Sequence, residues 1–345
     1  MNASAKPYDG VNGYIRITDI DEDTSEFKKS GIVSPDAEID ESYRVTENDI
    51  LFVRTGASTG KTYRYKPDDG RLYFAGFLIR AKISPYFDSK FIFYQTQSRR
   101  YKKWVQIMSM RSGQPGINSQ EYASFLVNLP QKSEQKKISS LLSLIDQRIS
   151  IQNKTIAHYE SLIRALYCKV FSLIKGNRVL LSEIVQIQKG KQINGEDLSD
   201  TGQYYVMNGG VVPSGYYDQY NTEANTISIS EGGNSCGYVQ YNIEPFWSGG
   251  HCYSLLNPSS EIDYKFLYHF LKYHQDDIMS LRIGSGLPNI QKKDIERFPV
   301  TLPSFSEQVR YTKVFDAISS LVTTEKQILE QLIMRKDYLI QNLFI

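Results

Sequence analysis

The stretch Ser112–Gln135, SGQPGINSQEYASFLVNLPQKSEQ, returns as Ser285–Gln308, SGLPNIQKKDIERFPVTLPSFSEQ. The offset is 173 residues without a gap, and 11 of 24 positions are identical. A period near half the chain signals duplicated domains, whereas solenoid repeats recur every roughly 20–50 residues. The correspondence extends upstream. Asn48–Gly60 (NDILFVRTGASTG) matches Asn225–Gly237 (NTISISEGGNSCG), Tyr73–Gly76 matches Phe246–Gly249, and Lys90–Tyr94 matches Lys265–His269. Small loop insertions and deletions account for the drift of the offset between 173 and 177. Downstream, each copy enters Pro-x-x-Ser-Glu-Gln (Pro130–Gln135 and Pro303–Gln308) and then a long apolar-periodic segment.

Those segments read as helices. Apolar residues fall at Ile138, Leu142, Ile145, Ile149, Ile156, Tyr159, Ile163, Leu166 and Val170, a heptad seam with one skipped position at Gln152. The second copy gives Tyr311, Phe315, Ile318, Val322, Leu329, Leu332, Leu339 and Leu343, with Glu325 in the place of Gln152 and Lys336 in that of Ile163. Ser133 and Ser306 are expected N-caps, with Glu134 and Glu307 complementing the helix dipole. Gly176 is the expected stop of the first helix. A helix over Ser133–Ile174 would be about 60 Å long. Such a seam is unstable alone in water. The two helices should therefore pair, antiparallel, with Gln152 facing Glu325 as a polar pair that fixes register.

The remainder divides into two heads. Strands are expected at Tyr14–Ile17, Ile50–Arg54 and Leu72–Ile83, then at Tyr204–Met207, Thr226–Ser230 and Cys252–Leu256. Phe91–Arg100 and Tyr264–Tyr273 read as helices. The fold class is α+β, with a curved sheet in each head. The boundaries are residues 1–132 (first head), 133–176 (first long helix), 177–304 (second head) and 305–345 (second long helix). The second head opens with Leu180–Lys189 before its Tyr205-Val206, and nothing matching precedes Tyr14-Ile15. The first head therefore reads as short at its start, with a sheet edge left open.

Composition excludes several classes. No run of eighteen apolar residues suggests a membrane span, and MNASAKPYDG has no signal-peptide core. Cys168, Cys236 and Cys252 form no C-x-x-C pair, which fits reduced thiols in a cytoplasmic protein. Net charge is only +2, so charge alone is weak support for nucleic-acid binding.

The chain resembles the specificity subunit of Type I restriction–modification systems. The resemblance runs over essentially the whole chain and is carried by Gly13–Ile20, Asp49–Lys61, Gln114–Asn118, Leu287–Gln291 and the two Pro-x-x-Ser-Glu-Gln starts, in that order. It implies two target-recognition domains, each reading half of a bipartite site on double-stranded DNA, joined by antiparallel helices. It also implies two modification subunits, which would bind S-adenosylmethionine, and restriction subunits as partners. This chain would bind no cofactor and catalyse nothing. No Asn-Pro-Pro-Tyr or Asp-Pro-Pro-Tyr methyltransferase motif occurs.

Candidate DNA contacts follow from position. Ser58, Thr59 and Lys61 lie in the glycine loop, and Asn234 and Ser235 in its repeat partner. Gln114, Asn289 and Gln291 lie in the repeated turns, and Arg111 and Arg282 just before them. Arg16 lies within the first strand-like run and Arg54 ends the second. Arg99, Arg100, Lys102 and Lys103 form the densest basic cluster, which could equally be a solvated helix end whose cations complement the dipole. Arginine in such places reaches guanine or phosphate.

Other motifs are weaker. Gly56–Thr62 resembles a phosphate loop, but a Walker loop needs glycine at position 55, which is Thr55. A nucleotide-binding or nuclease enzyme built on Gly56–Lys61 is one rival reading; a purely structural coiled-coil adaptor is another. Cys236, His251 and Cys252 lack zinc-knuckle spacing and read as packed side chains, so no metal is expected.

Overall fold

The computed structural model describes residues 1–22, 24–110, 113–284 and 286–344. The chain is a mixed α+β protein in two compact units, Met1–Asn153 with Gln327–Ile345, and Lys154–Lys326.

The first unit contains β1 (Ser4–Pro7), β2 (Gly13–Ile15), β3 (Val33–Asp36), β4 (Asp49–Val53), β5 (Thr62–Arg64), β6 (Leu72–Phe74) and β7 (Leu78–Lys82). Then come α1 (Ser89–Gln95), α2 (Arg99–Met108), α3 (Ser119–Ala123) and the first half of the long α4 (Lys132–Phe171). Its central sheet has the order β5-β4-β7, antiparallel throughout; β2 pairs with β6 in parallel. Ile15, Leu51, Val53, Tyr63 and Leu72 form the core against it.

The second unit takes the rest of α4, then β8 (Asn177–Leu180), α5 (Leu181–Ile184), β9 (Gln186–Lys189), β10 (Tyr204–Met207), β11 (Tyr216–Tyr217) and β12 (Thr226–Ser230). It continues with β13 (Val239–Asn242), β14 (Trp247–Ser248), β15 (Cys252–Leu256), α6 (Tyr264–Tyr273), α7 (Gln275–Ser280), α8 (Lys292–Glu296), β16 (Pro299–Leu302) and the start of α9 (Phe305–Leu343). Its sheet order is β13-β12-β15-β9. The first three strands repeat β5-β4-β7. The fourth, β9, pairs with β15 through Lys189 opposite Tyr253 and Ile187 opposite Leu255. Among the described residues, no strand pairs with the corresponding outer edge of β7.

The seam residues other than Leu343 are buried or half-buried, and the helices run antiparallel within each unit. In the first unit Leu142 and Ile340 share a core with Phe91 and Phe344, and Lys336 bonds Asp146 at 2.8 Å. In the second, Glu160 bonds Lys326 at 2.7 Å and Tyr167 packs edge-on against Phe315, with ring centroids 4.8 Å apart. Leu343 is exposed, and its neighbours Ile340 and Phe344 are buried instead. Lys336 thus replaces an apolar seam residue by finding a carboxylate. Gln152 and Glu325 are both half-buried.

Several local expectations shift for physical reasons. The run Leu72–Ile83 breaks into β6 and β7 at a turn in which Leu78 N donates to Ala75 O at 2.9 Å. The helix expected over Phe91–Arg100 is two helices, because the Ser98 hydroxyl caps a new one by accepting from Tyr101 N at 3.2 Å. The cap of α9 is Ser304, not Ser306. Its hydroxyl and N–H both donate to Glu307, whose carboxyl is held below its ordinary range chiefly by that hydroxyl. Likewise α4 starts at Lys132, so Ser133 sits within its first turn. The α-helix ends at Phe171; Ser172 turns its hydroxyl back onto Cys168 O. Gly176 serves a close approach instead of a helix stop: a Cβ there would lie 2.0 Å from Leu302 O.

The repeated Pro-x-x-Ser-Glu-Gln has its explanation in its last residue. Gln135 and Gln308 are 2% and 1% exposed. Gln135 accepts from Asp88 N at 3.0 Å and donates to Pro130 O at 2.8 Å. Gln308 accepts from Asp263 N at 2.9 Å and donates to Pro303 O at 3.0 Å and Glu261 O at 3.1 Å. Asp88 and Asp263 are themselves the N-caps of α1 and α6. In both halves one buried amide therefore ties the head's helix to the first turn of a long helix.

Candidate nucleic-acid interface

The two most similar sequence segments of each half meet in space. In the first head the loop after β4 bridges to the turn at Gly116, through Gly56 N to Pro115 O at 3.0 Å and Ile117 N to Arg54 O at 2.9 Å. In the second, the loop after β12 bridges to Asn289, through Gly233 N to Pro288 O at 3.0 Å and Ile290 N to Glu231 O at 2.9 Å. Each loop is thus bound to its turn by the same two backbone bonds.

The loop glycines serve this geometry. Gly60 and Gly237 have φ of 91° and 90°. A Cβ on Gly237 would stand 2.8 Å from Met279 Cα in α7, and one on Gly60 2.3 Å from Val105 Cγ1 in α2. Several of the loop amides are also spent. Those of Gly56, Thr59, Gly60 and Lys61 all bond backbone carbonyls, as do those of Gly233, Cys236, Gly237 and Tyr238. A phosphate loop needs such N–H groups free. Lys61 is turned in as well: its side chain is 9% exposed and bonds Glu22 at 2.5 Å. Nothing here favours the nucleotide-binding reading of Gly56–Lys61.

The remaining candidates separate into presented and committed groups. Arg54 is exposed, and its guanidinium makes no hydrogen bond or ion pair among the described residues. It lines a cavity of about 780 Å³ with Arg16, Thr18 and Phe77. Arg16 in that cavity is clamped to Asp19 by two bonds of 2.8 Å. The Thr59 hydroxyl donates to Gly56 O at 2.7 Å. Ser58 and Ser235 are half-buried, and Gln114, Asn234, Arg282, Asn289 and Gln291 are exposed on the loops and turns. Arg111 lies outside the described residues, as do Ser112 and Ser285, which open the two repeated turns.

The basic cluster opens α2 rather than closing a helix. Its cations therefore do not complement the dipole, and that explanation of Arg99–Lys103 falls away. Tyr101 is buried, with its hydroxyl on Gly60 O at 2.9 Å; Trp104 stacks on it. The aromatics pin the helix to the glycine loop, while Arg99, Arg100, Lys102 and Lys103 stay exposed. Arg100 lies 5.7 Å above the Phe125 ring.

Sequence reasoning missed a cluster in the second head. Glu231 is 8% exposed. Its Oε1 accepts from Lys189 Nζ at 2.6 Å and Tyr253 Oη at 3.0 Å, and its Oε2 lies 3.5 Å from His251 Nδ1. The one available signal was its alignment with Arg54. Cys236 and Cys252 are buried, and burial pushes the Cys252 thiol up to about 11. No group of three or more metal-ligating side chains occurs among the described residues. Nor is any helix there long and apolar enough to cross a membrane.

A family model described as the Type I restriction modification DNA specificity domain matches residues 5–160 and again 177–333. A Mycoplasma pneumoniae protein described as a type I specificity subunit is 37% identical over 123 residues, 35% of this chain and 32% of that protein. The alignment thus spans about a third of that relative's length. The Type I restriction enzyme MjaVIII specificity subunit of Methanocaldococcus jannaschii is 22% identical over 352 residues, covering 90% of this chain and 81% of the relative. In fold, the crystal structure of the S subunit of a Type I restriction–modification system from M. genitalium superposes with a TM-score of 0.69 at 22% identity, over 100% of this chain and 96% of that one.

Proposed function

This chain belongs to the Type I restriction–modification DNA specificity family, and from that premise we propose that it reads a bipartite site on double-stranded DNA and directs modification and restriction subunits to it. The observation that carries the reading is the duplication itself. Two heads present the same loop-and-turn pair, locked by the same backbone bonds, with different side chains exposed on each. One protein holding two variants of one reader fits a target with two unlike halves.

The chain acts as a reader and scaffold without chemistry of its own, in the cytoplasm where its DNA is. S-adenosylmethionine belongs to two modification subunits, and restriction subunits join them. Each head and each long helix acts as one part, with boundaries at residues 1–132, 133–176, 177–304 and 305–345. The exposed Arg99, Arg100, Lys102 and Lys103 bind phosphates, which position a protein without specifying sequence. Gln114, Asn234, Arg282, Asn289 and Gln291 approach the duplex from the loops and turns. The helices act as the ruler between half-sites, with Gln152 and Glu325 as the polar positions that fix register.

The ruler is the part most directly tested. One heptad inserted after His158, with a matching one in the second helix, adds about 10 Å of helix. That is about three base pairs of duplex. Methylated adenines mapped in cells carrying the subunit and its partners should show a longer spacer between unchanged half-sites. Changed half-sites with the old spacer would refute it.

A further inference from the structure

Residues on a duplicated scaffold that serve the fold stay alike in both copies. Gly56 and Gly233, Gly60 and Gly237, Asn48 and Asn225, Asp88 and Asp263, and Gln135 and Gln308 all do so, and each has a structural duty: a positive φ, a cap or a buried amide bond. One position breaks the pattern while its backbone does not. Arg54 N donates to Phe77 O at 3.2 Å and Arg54 O accepts from Ile117 N at 2.9 Å. Glu231 N donates to His251 O at 2.9 Å and Glu231 O accepts from Ile290 N at 2.9 Å. The two residues are thus held alike by both backbone groups, yet one is a cation and the other an anion. Their backbone partners differ too: an exposed phenyl ring at Phe77 and an imidazole at His251.

The side chains are deployed differently. Arg54 is exposed and unpaired among the described residues, beside Phe77, which is 63% exposed. An unpaired guanidinium can fork onto the O6 and N7 of guanine, and a neighbouring ring can lie against a thymine methyl. Its cavity neighbour Arg16 cannot, being held in both directions by Asp19. In the second head the carboxylate is turned inward and holds Lys189 by a 2.6 Å bond, while its Oε2, which makes no hydrogen bond, lies 3.5 Å from His251 Nδ1; the Lys189 and His251 side chains are 51% and 60% exposed. A lysine so held is a point donor and lacks the planar fork of arginine.

We propose that these matched positions are specificity determinants of the two heads: Arg54 with Phe77 reads a guanine in one half-site, and Glu231 positions Lys189, beside His251, to read the other. This rests on the DNA-reading function proposed above. The scaffold then explains how one fold reads two different sequences: the backbone bonds fix where position 54 or 231 sits, and the side chain decides what is read.

The test uses the complete complex with its modification subunits and maps methylated sites. Glutamine suits adenine as arginine suits guanine. Arg54→Gln should change one guanine to adenine in one half-site, with discrimination moving by roughly ten- to hundred-fold, and leave the other half unchanged. Arg54→Lys keeps the charge and loses the fork, so it should blur that same position only. Glu231→Gln should relax the other half-site and spare the first. Should the Arg54 variants fail to fold, the wild-type complex decides: 7-deazaguanine at the guanines of each half-site should impair methylation at one position of one half. A motif unchanged by Arg54→Gln, insensitivity to 7-deazaguanine, or a loss equal across all sequences with a shallower salt dependence would overturn the proposal, the last by making Arg54 a phosphate contact. A wild-type complex that methylates no bipartite motif would instead remove the DNA-reading function itself.

Discussion

Replacing Gln308 by methionine keeps the side chain's length and approximate volume and removes three hydrogen bonds. They are the bond accepted from Asp263 N and those donated to Pro303 O and Glu261 O, at 2.9, 3.0 and 3.1 Å. At roughly 1 kcal/mol net each, the loss is about 3 kcal/mol, and more if the stranded groups stay dry. Methionine at a 1% exposed site recovers part of that through apolar burial. The expected change is therefore about 2–4 kcal/mol. It should be local, because Asp263 caps α6 and loses its backbone anchor. Hydrogen exchange reads this directly: amides of the first turns of α6 and α9 should exchange at least tenfold faster, since each 1.4 kcal/mol is about a factor of ten. Gln135→Met makes the comparison internal, because Gln135 has two such bonds and α1 should lose about 2 kcal/mol. A change below about 0.5 kcal/mol in Gln308→Met would refute the reasoning. So would equal loss of protection in β12 and α6, which would mean global rather than local opening.

Other outcomes follow from the same contacts. The outer edge of β7 has no strand partner among the described residues, whereas β15 has β9. Its outward amides should exchange much faster than those of Cys252–Leu256, and equal protection in the purified chain would contradict this. His269 is 1% exposed, with Tyr167 Oη at 2.7 Å from Nδ1 and Asp316 Oδ1 at 2.9 Å from Nε2. Burial lowers its pKa below the ordinary 6.5, against the pull of Asp316. The unfolded chain then takes up a proton that the folded one refuses. Stability from this group is therefore lost as pH falls through 6.5. Thermal midpoints at pH 7.5 and 5.5 should diverge more in the wild type than in His269→Gln; parallel shifts would exclude His269 as the cause.

The sequence carried the architecture because periodic burial and duplication are written in residue types. The seam from Ile138 to Val170 could not be satisfied by a lone helix, and its copy named the partner. Local boundaries were less legible. Whether Ser304 or Ser306 caps α9 depends on which backbone N–H is left over, and both serines suit the role chemically. The break between α1 and α2 depends on Ser98 doing the same within the polar stretch Gln95–Arg100. Lys61 looked available for phosphate because its partner Glu22 is 39 residues away, a distance across which no periodicity speaks.

The site was legible in a different way. Identity between the copies marked Gln135 and Gln308, but identity marks what the fold needs, and both proved to be buried junction residues. If the two heads read unlike half-sites, as proposed, their readers must differ, and the signal at positions 54 and 231 is a mismatch inside a well-matched segment. A mismatch alone has no meaning, because exposed loops vary freely. What gives this one weight is that four backbone bonds hold Arg54 and Glu231 in the same place while charge reverses. A neutral drift position would have no reason to rebuild its surroundings, yet Glu231 comes with Lys189, Tyr253 and His251 arranged around its carboxylate. Reversal of charge together with a rebuilt donor set is what a change of base preference requires, since guanine offers acceptors to an arginine fork and other edges demand differently placed donors.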